Sequence, residues 1–315
     1  MGLVGLRHQH AVSALTAAAL APSTAEAYRR VWAQVQLFTR RTPVNVFPMS
    51  VSELADFLGA RFEAGCSSAT LASAASAIAY GHRIRGLENP TSDFRIHTLL
   101  AGAKRLRPGQ DRRLAVSIGE LKRLSAALDS VPLDPVGRAA ARAAFSLAFF
   151  AMLRPSEVSL GSDGRHTIRV GNVHIRAGRM EVVIPSSKTS VDPSHIWLVA
   201  RPDVSICPVA AMANFLGVRG NSPAGEVLFI DGQRRPFTSR MLTRIIKQAG
   251  RIARLDPARL SGHCFRIGGA SHGAALGMSE MQLAQAGRWT SVTAMRRYVR
   301  RSVSLLGTTP ADRTG

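Results

Sequence analysis

The chain has 315 residues, 46% of them hydrophobic, enough for about two domains with buried cores and too many for a globally disordered protein. Forty-one Lys plus Arg against twenty Asp plus Glu leave a formal net charge of +21, which repels itself unless a polyanion offsets it, and nucleic acid is the usual partner. No apolar run approaches the roughly 20 residues that cross a bilayer, and Cys66, Cys207 and Cys264 are too scattered for a disulfide framework or a zinc site, so the expectation is an intracellular protein.

Residues 1–21, Ala-rich from Ala14 to Ala21 with only Arg7 as a charge ahead of that run, read as a loose extension and make a poor signal peptide. Ser23-Thr-Ala-Glu26 has the form of a capping box, and Tyr28, Val31, Trp32, Val35 and Phe38 follow at helical spacing. Ser50 to Glu53 is a second capping box, ahead of Leu54, Phe57, Leu58 and Phe62, with Gly65 as the stop. A third helix runs from about Ser68 through Leu71, Ala75 and Ile78 to Gly86, and a fourth carries Phe94, Leu99, Leu100, Ala103 and Leu106. These four amphipathic helices predict a small bundle over 22–106. Its basic residues Arg29, Arg30, Arg83, Arg85, Lys104 and Arg105, and Arg107 just beyond it, are candidates for contacting DNA.

Arg107-Pro-Gly-Gln-Asp-Arg-Arg113 has no apolar stripe and predicts a linker over 107–116. A capping box from Ser117 to Glu120 opens a second domain over 117–303, whose helix Ala143–Leu153 is apolar enough to be core. Between about Thr167 and Val199 the period changes to two. Ile168 with Val170, then Met180, Val182 and Ile184, then Ile196 and Leu198 predict three short strands. Helices return from Pro208, and residues 304–315 form a tail. The fold class expected is mainly α with a small antiparallel sheet.

Five stretches of the second domain carry chemistry. His263 and Arg266, three apart, share a helix face, with Ser261-Gly262 ahead of them at a helix start where free N–H groups favour anions, and with Gly268-Gly269 behind, small enough for close backbone approach. Arg154 ends an apolar helix before Pro155, and Glu157 is placed either to orient it or to make an ordinary structural ion pair with it. Lys188, in Ser186-Ser-Lys-Thr-Ser190, sits at a hairpin tip, as a solvated charge or as an acid pushed into a closing site. Trp289 follows Gly287-Arg288, and Tyr298 comes nine residues later inside the basic helix Ala294–Arg301, flanked by Arg297 and Arg300 as further DNA-contact candidates. A tyrosine there either stacks on a base or, activated by cationic surroundings, attacks a phosphate.

The order Arg154, Lys188, His263-x-x-Arg266, Trp289, Tyr298 resembles the catalytic set of the tyrosine recombinases, the phage-integrase superfamily. Cys207-Pro-Val-Ala-Ala211, Gly225-Glu-Val-Leu-Phe229 and Ser261–Gly268 are similar to recombinases of DIRS-type and Crypton-type mobile elements, and residues 22–106 to the family's helical SAM-like core-binding domain. The resemblance implies two domains closing on double-stranded DNA, with self-association into a synaptic tetramer. It implies that Arg154 and Arg266 clamp the scissile phosphate and that His263 acts as base or donor. Trp289 packs and donates its indole N–H, Lys188 protonates the leaving 5′ oxygen, and Tyr298 is the nucleophile. Neither metal nor other cofactor is implied. The compartment would be the nucleus in a eukaryote, or the cytoplasm and nucleoid in a bacterium. Two alternatives stay open: a domesticated DNA-binding protein that no longer cuts, and strand relaxation of the type IB topoisomerase kind.

Overall fold

In the computed structural model the residues described are 8–40, 46–109, 111–161, 164–186 and 192–300. They divide into two compact units, Met1–Asp111 and Arg112–Gly315.

The first unit contains α1 (Gln9–Ala18), α2 (Pro22–Thr39), α3 (Val51–Glu63), α4 (Ser68–Arg83) and α5 (Phe94–Leu106). Val35, Leu54, Phe57, Leu58, Leu71, Ile78 and Ile96 from α2–α5 form its core. The capping box at Ser50 is present, with Ser50 Oγ accepting from the Glu53 N–H and the Ser50 N–H donating to Glu53 Oε2 at 2.6 Å. Gly65 stops α3 with φ +87°, a conformation that costs glycine least. The box expected at Ser23 is absent. Helix α2 starts two residues earlier, with Pro22 in the first turn where its missing N–H does no harm, so Ser23 lies inside the helix and Glu26 pairs with Arg29 and Arg30. Residues 9–18, read from sequence as part of a loose extension, are helical, yet α1 buries none of its residues.

The second unit contains α6 (Ile118–Ala127), α7 (Pro135–Phe150), α8 (Pro155–Val158), β1 (Val173–Arg176), β2 (Arg179–Ile184), β3 (Ser194–Val199), α9 (Pro208–Arg219), α10 (Ser239–Ile252), α11 (His263–Ala275), α12 (Glu280–Ala286) and α13 (Val292–Arg296). The mainly helical fold with one antiparallel sheet, in the order β1-β2-β3, is the expected class. Helix α7 is the spine, with Ala140, Ala143, Ala144, Phe145, Leu147 and Phe149 all buried. Its small residues let α9 pack closely, while Phe145 meets Phe265 of α11 at 4.7 Å between ring centroids.

Two expectations are corrected here. The first strand lies at Val173–Arg176 and not at Ile168–Val170, because the backbone at 168–171 pairs instead with the 224–228 segment (Val170 N–H to Glu226 O, Gly171 N–H to Ala224 O, Leu228 N–H to Ile168 O). Tyr298 lies beyond the end of α13 and not within a helix. Ser271 Oγ accepts from the Arg300 N–H at 2.9 Å and Val299 packs on an apolar cluster, and these tertiary contacts replace a further helical turn. No helix among the described residues is long and apolar enough to cross a membrane.

Candidate active site

After α7 the chain turns sharply through Ala151 and Met152. Met152 has φ +47°, a left-handed conformation that costs a side-chain-bearing residue energy and persists only where its surroundings over-determine it. What this turn achieves is visible in its carbonyl, which accepts from Arg266 Nη1 and from Arg288 Nη2. Arg154 follows as the residue ahead of α8, and Pro155 at the first helical position fixes that start. The Arg154 backbone N–H donates to Glu157 Oε2 at 2.7 Å and its Nη1 to Oε1 at 3.1 Å, while Nη2 donates to the Arg288 carbonyl at 3.1 Å.

Glu157 is the hub. It is fully buried, and a buried carboxylate is tolerable only when paired. Its second cation is Arg288, whose Nη2 donates to Oε2 at 2.9 Å and whose backbone is itself left-handed at φ +57°. Arg266, on the second turn of α11, is completely buried and donates to the carbonyls of Met152 and, at 2.6 Å, Gly287. Gly268 and Gly269 make that depth possible. A methyl group on either would collide with a backbone carbonyl, of Val116 and Phe149 respectively, so α11 can sit this close only with glycine there.

Three guanidinium groups thus face one carboxylate, and positive charge is in excess. Burial, followed by repulsion from Arg154, pushes Arg266 down to about 9, with Glu157 pulling the other way; burial also lowers Arg288. Such a cluster favours an added anion. Arg266 Nε, Arg288 Nε and Trp289 Nε1 are buried donors with no acceptor among the described residues. The Arg266 guanidinium lies 4.1 Å from the centroid of the Trp289 ring and 5.3 Å from that of Tyr298, and the two rings are 5.1 Å apart. Tyr298 is carried to this spot by Ser271 of α11, whose Oγ donates to the Tyr298 carbonyl at 3.5 Å.

Of the residues singled out from sequence, Arg154, Glu157, Arg266, Trp289 and Tyr298 come together in this way. His263 lies one turn before Arg266 on α11, half-buried, and Lys188 falls outside the described residues. Cys264, next to His263, is fully buried and donates to the Arg259 carbonyl. Sequence reasoning missed Arg288, although the stretch Gly287-Arg-Trp289 was in view; nothing in its spacing distinguishes it from the other arginines nearby.

Reasoning from sequence also missed a stripe on α10. Arg240, Arg244, Lys247 and Arg251 recur at spacings of four, three and four opposite the buried Leu242, Ile245, Ile246 and Ala249, a pattern legible in the sequence alone. Among the residues named for DNA contact, Arg83, Lys104, Arg105 and Arg297 are exposed, whereas Arg85 stacks on Phe47 at 4.0 Å and Arg107 on Phe62 at 3.9 Å within their own unit. Arg300 Nη1 donates to the Arg297 carbonyl at 2.7 Å.

Residues 118–304 match the profile of the phage integrase family. The chain belongs to the phage integrase family. The solved structures this integrase-family chain is similar to include the XerH site-specific recombinase in a post-cleavage complex with palindromic difH substrate, at 16% identity and a TM-score of 0.62 over 87% of this chain and 75% of that one. They also include a lambda integrase dimer bound to a COC′ core site (16% identity, TM-score 0.61, 96% of this chain and 78% of that one). A third is a lambda integrase tetramer bound to a Holliday junction (17%, TM-score 0.60, 94% and 77%). At these identities the likeness is one of fold. No curated protein sequence matches the chain.

Proposed function

We propose that the protein is a site-specific recombinase that cuts and rejoins double-stranded DNA through a 3′-phosphotyrosyl bond to Tyr298, of the kind encoded by DIRS-type and Crypton-type mobile elements. One observation carries the reading: among the described residues, buried guanidinium groups in excess over their single carboxylate, with N–H donors left without an acceptor, lie beside the ring of a tyrosine. Arg154 and Arg266 hold the non-bridging oxygens of the scissile phosphate and offset the charge that gathers in a pentavalent transition state. Glu157 positions Arg154 and Arg288 and does not touch the substrate. The Trp289 indole N–H donates to a phosphate oxygen, which satisfies a donor that has no acceptor among the described residues.

The Tyr298 oxygen attacks phosphorus as its proton passes toward His263. The bond from phosphorus to the 5′ oxygen breaks, and Lys188 protonates the departing alkoxide. A 5′ hydroxyl from the same or a partner duplex then attacks the phosphotyrosine in reverse, so the phosphodiester energy is conserved. The helical first unit and the α10 stripe supply phosphate-contacting cations, and four protomers assemble on two duplexes.

Covalent trapping tests this. Duplexes carrying the terminal repeats of the encoding element, nicked so that the short 5′ end diffuses away, should give an SDS-resistant adduct with the parent protein and none with Tyr298→Phe. An adduct from Tyr298→Phe would move the nucleophile elsewhere, and no adduct from a parent that binds these duplexes would favour a non-cutting DNA-binding protein.

A further inference from the structure

The outer face of the β1–β3 sheet carries features that the chemistry at Tyr298 does not use. Along each strand alternate residues point outward, and the register sets them in rows: His174, Glu181 and Trp197 in one, Arg176, Arg179 and Val199 in the next. Trp197 and Val199 are each 65% exposed, an unusual position for a tryptophan in a domain with an ample core. The concavity lined by His174, Arg176, Arg179, Glu181 and Trp197 measures about 410 Å³.

The arginine row is expensive. Arg176 and Arg179 are direct cross-strand neighbours, closing a two-residue turn in which Ala177 (φ +47°) and Gly178 (φ +73°) are both left-handed. Like charges placed directly opposite destabilise a hairpin, and the alanine adds backbone strain. Among the described residues neither arginine has an ion-pair partner. Glu181, the acid on this face, is taken by His195, whose Nδ1 lies 2.7 Å from Oε1.

We propose that this face is a binding site for one unpaired nucleotide of single-stranded nucleic acid, its base stacked on Trp197 and its phosphate held between Arg176 and Arg179. Adjacent rows on one face of a strand are about 7 Å apart, a reach comparable to that between a base and its own phosphate. An exposed aromatic ring beside paired cations is the arrangement that binds single strands without reading sequence. A folded protein partner fits less well, since a stable interface needs about 800 Å² from each side and the exposed apolar surface here is two side chains. The site is independent of the role given to Tyr298: a strand released by any nick would suffice as its ligand.

The test uses the full-length chain and a short oligothymidylate in which one base is 5-iodouracil. Photocrosslinking followed by peptide mapping should place an adduct on Trp197, and adducts confined to other peptides would overturn the proposal. By fluorescence anisotropy, Trp197→Ala should weaken oligothymidylate binding about tenfold, and Trp197→Phe should recover most of that loss. Arg176→Ala with Arg179→Ala should weaken it as well and flatten its dependence on salt. Binding to duplex and adduct formation on the nicked duplex should stay at parental levels in all three variants. Equal oligothymidylate affinity in the parent and Trp197→Ala would overturn the assignment and leave the face to an acidic peptide.

Discussion

The arginines of this protein live in two regimes. Arg266 and Arg288, together with the less buried Arg154, sit inside the second unit, their terminal Nη groups directed at named carbonyls or at Glu157. Those of the α10 stripe, and Arg29 and Arg30 of the first unit, stand in solvent or beside a surface carboxylate. The same side chain therefore does two different things. Buried, it is fixed in direction and costs desolvation energy, which only specific acceptors or an incoming anion offset. Exposed, it contributes long-range attraction that salt screens, with little demand on geometry.

The largest effect expected from this contrast is on rate. Arg266→Ala or Arg154→Ala should slow covalent adduct formation on the order of a thousandfold, and lysine should restore little because it lacks the planar fork. Near-parental rates in either alanine variant would make that arginine structural. Arg266 also has a signature in pH. Held near 9, it loses its proton as pH rises through that value, so the free site binds inorganic phosphate more weakly at about pH 10.5 than at about pH 8. The sign follows because the charged form is the one that attracts phosphate, and unchanged affinity by calorimetry would contradict it.

Next in size is Glu157→Gln. It leaves buried guanidinium groups without their counter-charge and should cost about 3–5 kcal/mol, lowering the melting temperature by on the order of 10 °C. A shift within a degree or two would mean that the three arginines tolerate one another without it. The α10 stripe sharpens the comparison from the other side. Replacing Arg240, Arg244, Lys247 and Arg251 by alanine should leave the melting temperature almost unmoved, yet flatten the plot of log affinity for duplex against log salt by about 0.9 for each side chain that meets a phosphate. An unchanged slope would remove α10 from the interface. Smallest of all, Glu26→Gln should shift stability by no more than about 0.5 kcal/mol, although it breaks two ion pairs, because both are on the surface.

How far the sequence reaches follows the same division. Helices with a strong apolar period and a local start signal are legible, as with Ser50 before α3 and Ser117 before α6, because both partners of the cap lie within four residues. The strand misplaced to Ile168–Val170 shows where locality ends. Its period of two is real, but pairing with the 224–228 segment, more than fifty residues on, decides what those residues do. The site behaves likewise. Arg154, Glu157 and the His263-x-x-Arg266 pair are short-range patterns, whereas Arg288 gains its place from long-range contacts with Ala151, Met152 and Glu157, the last across 131 positions.

Tyr298 hangs on a miniature core of its own. Leu283, Ala284 and Met295, with Trp289, Val292 and Val299 against them, form an apolar cluster separate from the large one around α7. Cooperative opening can therefore be confined to residues 280–300, at a free energy set by that small cluster and the Ser271 hydrogen bonds. Arg154 and Arg266, meanwhile, are carried by elements of the main core, whereas Arg288 and Trp289 belong to the same segment as Tyr298. Amide protons of this segment should therefore exchange faster than those of α7, which hydrogen exchange followed by mass spectrometry would check. The Tyr298 ring and the side chains of Arg154 and Arg266 are thus set to open on separate timescales.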